Sequence, residues 1–209
     1  MKKLLLTTLL ASLLVLPLGT TALADDETAP SEDIQIVEYI PGSVPAETDL
    51  SSMLPALHAV LLAMDNQGVT SFAADKEALS WEMLYNMLSM YGQMDERAYY
   101  DGDLLILPSE TVMDYSAALF TLPPAAETLP AELADRMTYD AKLDEYRLYC
   151  GSDGLAQVVI DSTADLDSGV ALSGRLVYLA ENETLCSFTA ELAVCDNMFG
   201  YALTELNAA

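Results

Sequence analysis

Three regimes of apolar spacing follow one another along this chain. Leu4 to Leu18 is an almost unbroken apolar run with no amphipathic period. Helical spacing comes next. Leu54, Leu57, His58, Leu61 and Leu62 fall at i, i+3, i+4, i+7 and i+8, which predicts a helix from Ser52 to Asn66, with Pro55 in its first turn and Gly68 as its stop. Leu84, Met87, Leu88 and Tyr91, flanked by Trp81 and Tyr85, predict a second helix over 76–91, capped by Asp75 and closed by Gly92. A strand at Leu104–Leu107 follows a turn at Asp101-Gly102. Ser109 then caps a third helix through Phe120, with Val112, Tyr115, Ala118 and Leu119 on one side.

From Tyr139 the period changes to two. Tyr146, Leu148 and Cys150 alternate, then Gly151-Ser152-Asp153-Gly154 reads as a hairpin turn. Ala156, Val158 and Ile160 alternate before an acidic loop from Asp161 to Gly169. Val170, Leu172, Leu176 and Tyr178 mark the next strand, turning at Glu181-Asn182-Glu183. Cys186, Phe188, Ala190, Leu192 and Val194 mark another, and Phe199, Tyr201 and Leu203 the last. The pattern predicts an antiparallel meander with one buried face. The fold class is therefore α+β: two to three N-terminal helices packed on a four- to five-stranded antiparallel meander. This order of elements, over residues 52–206, resembles the NTF2-like (cystatin-like) cone superfamily. The resemblance implies a curved sheet around helices, with a pocket at its open end. It implies no activity, and it assigns no functional residue.

The N-terminal run changes meaning once its flanks are read. Lys2 and Lys3 precede it, Ala22-Leu23-Ala24 follows it, and Asp25-Asp26-Glu27 comes next. That is the order of a secretory signal peptide over 1–24, too short for a membrane span. Residues 25–50 read as an acidic flexible leader and 51–209 as a single domain, giving a secreted protein, soluble after signal cleavage.

Charge narrows the partners. The formal net charge of the 209-residue chain is −25. After residue 24 the cations are Lys76, Arg97, Arg136, Lys142, Arg147 and Arg175, and no two are neighbours. Phosphate binding needs clustered basic side chains, so nucleic acid and anionic membranes are excluded as partners. A small molecule, a glycan or a protein remains.

Candidate chemistry is sparse. His58 is the sole histidine, so a multi-histidine zinc site is excluded; on its apolar stripe it is a candidate general base or, more simply, a core residue. Asp161, Asp165 and Asp167 put oxygen ligands in one glycine-containing loop, a chemistry that suits calcium, but their spacing departs from the EF-hand pattern and a solvated loop explains them. Eleven tyrosines against four phenylalanines point to half-buried rings, and Tyr85, Tyr91, Tyr99, Tyr100 and Tyr115 are candidates to rim a binding mouth. Cys186 and Cys195, nine residues apart on one strand, stand about 30 Å apart at ~3.3 Å per residue, too far to bridge unless the strand turns. Cys150 pairs with either only if strands meet, and three buried small side chains is the simpler reading.

No cofactor motif occurs: there is no CxxC, no HExxH and no phosphate-cradling glycine loop. The leading expectation is a secreted non-catalytic acidic domain that binds a small ligand, glycan or protein. The alternatives are a pocket enzyme of isomerase or dehydratase type, and a surface interaction protein without a pocket.

Overall fold

The computed structural model describes residues 49–151 and 155–209. The predicted signal peptide, nearly all of the predicted leader and the middle of the 151–154 turn lie outside the described residues.

A short 3-10 turn, Ser51–Met53, leads into helix α1, Leu54–Gln67. Pro55 sits in the first turn, where its missing N–H breaks no helical bond. Gly68 ends the helix in the left-handed region (φ +66°) while the Val69 N–H reaches back to the Met64 carbonyl at 3.0 Å, a Schellman closure. The predicted apolar stripe understates the burial of this helix. Ala56 through Leu61 are all buried in succession, and so are Ala63 and Met64. Ala56, Ala59 and Ala63 share one face, and their small side chains let a neighbour approach closely. Helix α2, Phe72–Tyr91, packs against α1, and Asn86 Nδ2 donates to the Ala59 carbonyl at 3.3 Å.

Helix α2 begins four residues earlier than its pattern predicts, and Asp75 lies inside it. The cap position belongs to Ser71, which also forms a β-bridge with Asn207. Phe72 is fully buried, and that tertiary burial extends the helix beyond its amphipathic signal. Helix α3 covers only Ser109–Ser116, with Pro108 rather than Ser109 at the cap. It stops short of Phe120 because the Ala118 carbonyl accepts a hydrogen bond from the Leu203 N–H at 2.8 Å.

The strands form two antiparallel sheets. The first has the order β1-β2-β4-β3, from Tyr99–Asp101, Leu104–Pro108, Met137–Asp140 and Glu145–Tyr149. The second is a four-stranded meander, β5-β6-β7-β8, from Ala156–Leu166, Gly169–Tyr178, Glu183–Val194 and Tyr201–Ala208. The α+β class and the C-terminal meander agree with the sequence pattern; the partition into two sheets does not follow from it. The strand ending at Tyr149 pairs with β2 and β3, so 151–154 connects two sheets rather than closing a hairpin. Asp161 to Leu166 is strand, not loop. Its ladder to β6 (Thr163 opposite Leu172, Asp165 opposite Val170) supplies backbone bonds that outweigh the poor strand propensity of aspartate. The last strand starts at Tyr201, whereas Phe199 is buried in the preceding turn, edge-on to Tyr115 with ring centroids 5.8 Å apart.

Helix α1 packs on β5 and β8 of the second sheet. Helix α2 meets the first sheet through Trp81 beside Tyr146, the Tyr85 hydroxyl donating to the Tyr149 carbonyl at 3.2 Å, and Glu82 paired with Arg136 at 3.0 Å. Met53, Leu57, Leu61, Met64, Met83, Leu84, Met87 and Leu88 fill the space between helices and sheets, each at most 1 % exposed. Among the described residues no helix is long and apolar enough to cross a membrane.

Two consequences are measurable. Met87→Ala should lower unfolding free energy by about 2–5 kcal/mol in urea titration, because the two-sided packing around α2 cannot collapse onto the gap. Gly174 lies on the buried face of β6 opposite Phe188, where an added Cβ would meet the Val159 carbonyl oxygen and come within 2.8 Å of the Phe188 ring. Gly174→Ala should therefore cost about 1–3 kcal/mol in the same titration; an unchanged midpoint would show that Phe188 is free to move away.

Candidate functional site

The residues singled out by sequence disperse when placed in the fold. His58 is 3 % exposed, its Nδ1 2.6 Å from the Tyr91 hydroxyl oxygen, and it lines none of the five surface hollows described for this molecule. Tyr115 is buried and donates to the Tyr91 carbonyl at 3.1 Å; Tyr85 is buried with the Arg136 guanidinium 4.7 Å above its ring. Burial pushes the phenols of Tyr85 and Tyr115 upward, and that of Tyr146 up to about 12.

Tyr99 and Tyr100 stand exposed on β1. Tyr99 donates to Glu145 at 2.9 Å, which raises its pKa, and Tyr100 bonds Gln93 at 2.9 Å. The five tyrosines thus rim no common mouth: three are structural and two sit on a sheet edge. The three cysteines are free, and they are not uniformly buried. Cys150 is exposed, 3.3 Å from the Tyr100 hydroxyl oxygen, while Cys186 and Cys195 are half-buried. Burial raises the Cys186 thiol, so it is a poor nucleophile.

Asp161 forms a two-pronged bond with Arg175 across the β5–β6 ladder, both contacts 2.8 Å, and that hydrogen bonding holds its carboxyl below the usual range. Asp165 lies farther along β5 and Asp167 in the turn to β6. Among the described residues no three carboxylate, cysteine or histidine side chains gather as a metal site would require.

The second sheet has an outer face built differently from anything the sequence pattern singled out. Register places Ser162, Ser173, Thr189 and Asn207 in one row across all four strands, with Ser162 and Ser173 hydroxyls 2.8 Å apart. The next row is Ala164, Ala171, Glu191 and Glu205. These short side chains floor a shallow trough of about 230 Å³, and a second hollow of about 370 Å³ continues past Arg175, Ser187 and Asn207. One end is anionic: Glu191 and Glu205 are exposed and directly opposed, an arrangement that raises the local negative potential. Bulges at Ile160/Ser162, Leu176/Val177 and Glu191/Leu192 twist the strands beneath it. Alternation already marked Ala171, Ser173, Thr189 and Glu191 of β6 and β7 as outward-facing; Ser162 and Ala164 fall in the stretch read as a loop, Glu205 and Asn207 face outward only past the Glu191/Leu192 bulge, and only the register aligns the rows.

With this geometry in view, the chain was compared with family models, curated proteins and solved structures. None of them matches it. The trough and the hollows therefore have to be read on their own chemistry.

One electrostatic feature supports the scaffold rather than a site. Asp95, with its side chain 7 % exposed, accepts Arg97 Nε at 2.9 Å and Nη2 at 2.8 Å; the same Nη2 reaches Asp114 of α3 at 2.7 Å. The Arg97 hydrogen bonds hold the Asp95 carboxyl below its ordinary value. A lowered carboxylate stabilises the fold above the unfolded-state pKa and loses that contribution as pH falls through the folded-state one. Arg97→Gln should therefore lower the thermal midpoint by several degrees at about pH 7, with the gap to wild type closing as pH falls below the ordinary carboxylate range. A gap that persists unchanged in acid, in a calorimetric series, would remove Asp95 from the explanation.

Proposed function

We propose that this is an exported, non-catalytic recognition domain that holds an extended, basic protein segment on the outer face of β5–β8. The observation that carries the reading is the aligned trough of small hydroxyl and methyl side chains ending at Glu191 and Glu205. A floor without bulk leaves room for a backbone with alternating side chains. None of the residues lining the trough is aromatic, so the stacking surface that sugar rings use is missing from it. A cationic side chain would relieve the opposed glutamates, and a chain of net charge −25 attracts basic partners at long range.

Export rests on the signal-like order of residues 1–24, and the NTF2-like likeness belongs to the same proposal. A four-stranded meander with α1 against one face supports that likeness, and the first sheet is an addition to it. The interior filled by leucine and methionine favours surface recognition over a pocket enzyme.

The test is an NMR titration with acetyl-Gly-Lys-Gly-Lys-Gly-Lys-amide at low salt, following backbone amides. Shifts should cluster at Ala171, Ser173, Thr189 and Asn207. The double variant Glu191→Gln, Glu205→Gln should weaken binding about fivefold or more. Shifts scattered evenly over the acidic surface, or a variant that binds as wild type does, would sink the proposal.

A further inference from the structure

Lys76 differs in its setting from the four arginines of the fold, and from Lys142, which is exposed. Arg97, Arg136, Arg147 and Arg175 each contact a carboxylate. Lys76 instead lays its ammonium against two rings, 4.7 Å from the centroid of Phe72 and 5.5 Å from that of Phe120. Among the described residues no carboxylate lies in salt-bridge contact with it. Phe72 is fully buried and Phe120 nearly so, so this ammonium is partly withdrawn from water at the edge of the core. Burial also pulls its pKa below the ordinary lysine value.

Two hollows of about 420 Å³ each open on either side of the Lys76–Phe120 pair. One is walled by Ser80 of α2 and by Phe120, Leu122 and Pro124 of the connection after α3, with Glu77 on its rim. Leu122 is 82 % exposed, an apolar side chain of this loop with no packing role. The other carries Asp196 on its rim. Glu77 and Asp196 are both exposed, so solvent and salt weaken their effect on a ligand more than they weaken Lys76.

We propose that the hollow between α2 and the 120–124 connection is a binding site for a small organic monocarboxylate with an apolar body. Lys76 takes the carboxylate through a charge-assisted hydrogen bond, and Phe120, Leu122 and Pro124 receive the body, while the Ser80 hydroxyl stays bonded to the Glu77 carbonyl at 2.9 Å. A partly desolvated ammonium held by ring faces gains more from an anion than one in open water does. Glu77 on the rim of this hollow disfavours dianions and polyanions, which narrows the ligand class to single negative charge. This site lies apart from the trough on the second sheet and does not depend on it.

The test uses the full chain and 3-phenylpropionate, with neutral 3-phenylpropanol as the matched control, both followed by amide shifts. The carboxylate should bind in the low-millimolar range and move Lys76, Phe120 and Leu122, while the alcohol binds at least about tenfold more weakly. Lys76→Gln should remove that discrimination and Lys76→Arg should keep most of it. Leu122→Ser, at an exposed position that cannot unfold the domain, should weaken both compounds together. The proposal is overturned if acid and alcohol bind equally, if Lys76→Gln binds as wild type, if the shifts map elsewhere, or if none appear up to about 10 mM.

Discussion

Everything in this fold leans on the burial of α1. A helix that is apolar over most of its circumference has no stable place at a surface, and here α2 lies along one side while the β5–β8 meander takes another. The alanines at 56, 59 and 63 set how closely the helices approach, and the leucines and methionines set what fills the remaining volume. Because α2 then presents Trp81 and Tyr85 on its far side, the β1–β4 sheet is needed to cover them. The molecule becomes layered as a consequence of two helices that must both be enclosed.

The same packing accounts for the burial of His58. Its ring is held at the centre of the helical layer beside Tyr91, with methionine and leucine around it. Large flexible methionines close gaps that would otherwise admit a ligand. Room for a ligand is thereby left at the periphery, over the outward row of the second sheet and on the ledge beside Lys76.

Charge is distributed to match. Acidic side chains dominate the exterior, and each arginine of the fold joins two positions brought close by folding, as Arg175 does for β5 and β6 or Arg136 for α2. Exposed pairs of this kind add little stability singly, but they spend nearly all the positive charge internally. What remains outward is negative nearly everywhere. Of the two lysines, Lys142 is exposed and Lys76 is conspicuous for its ring contacts rather than for any ion pair.

Local periodicity was enough to read three helices, the antiparallel character of the C-terminal half and the turns at Gly68, Gly102 and Asn182, because each depends on neighbours within a few residues. It also reported the outward side of β6 and β7, hence the chemical type of the trough residues there, though not of those on β5 and β8. Which strands share a sheet was not legible. Tyr146 and Leu148 alternate as Val158 and Ile160 do, and only long-range pairing with Leu107 and Leu105 assigns the former to the first sheet. Nor could spacing reveal that Phe72 lengthens α2, that Asp161 continues a strand, or that Phe120 closes over Lys76. Those outcomes turn on burial and on hydrogen bonds between residues far apart in sequence. Side-chain pattern determined what each segment could become; tertiary contact decided which partner it met, because the free energy of that choice resides in surfaces that exist only after folding.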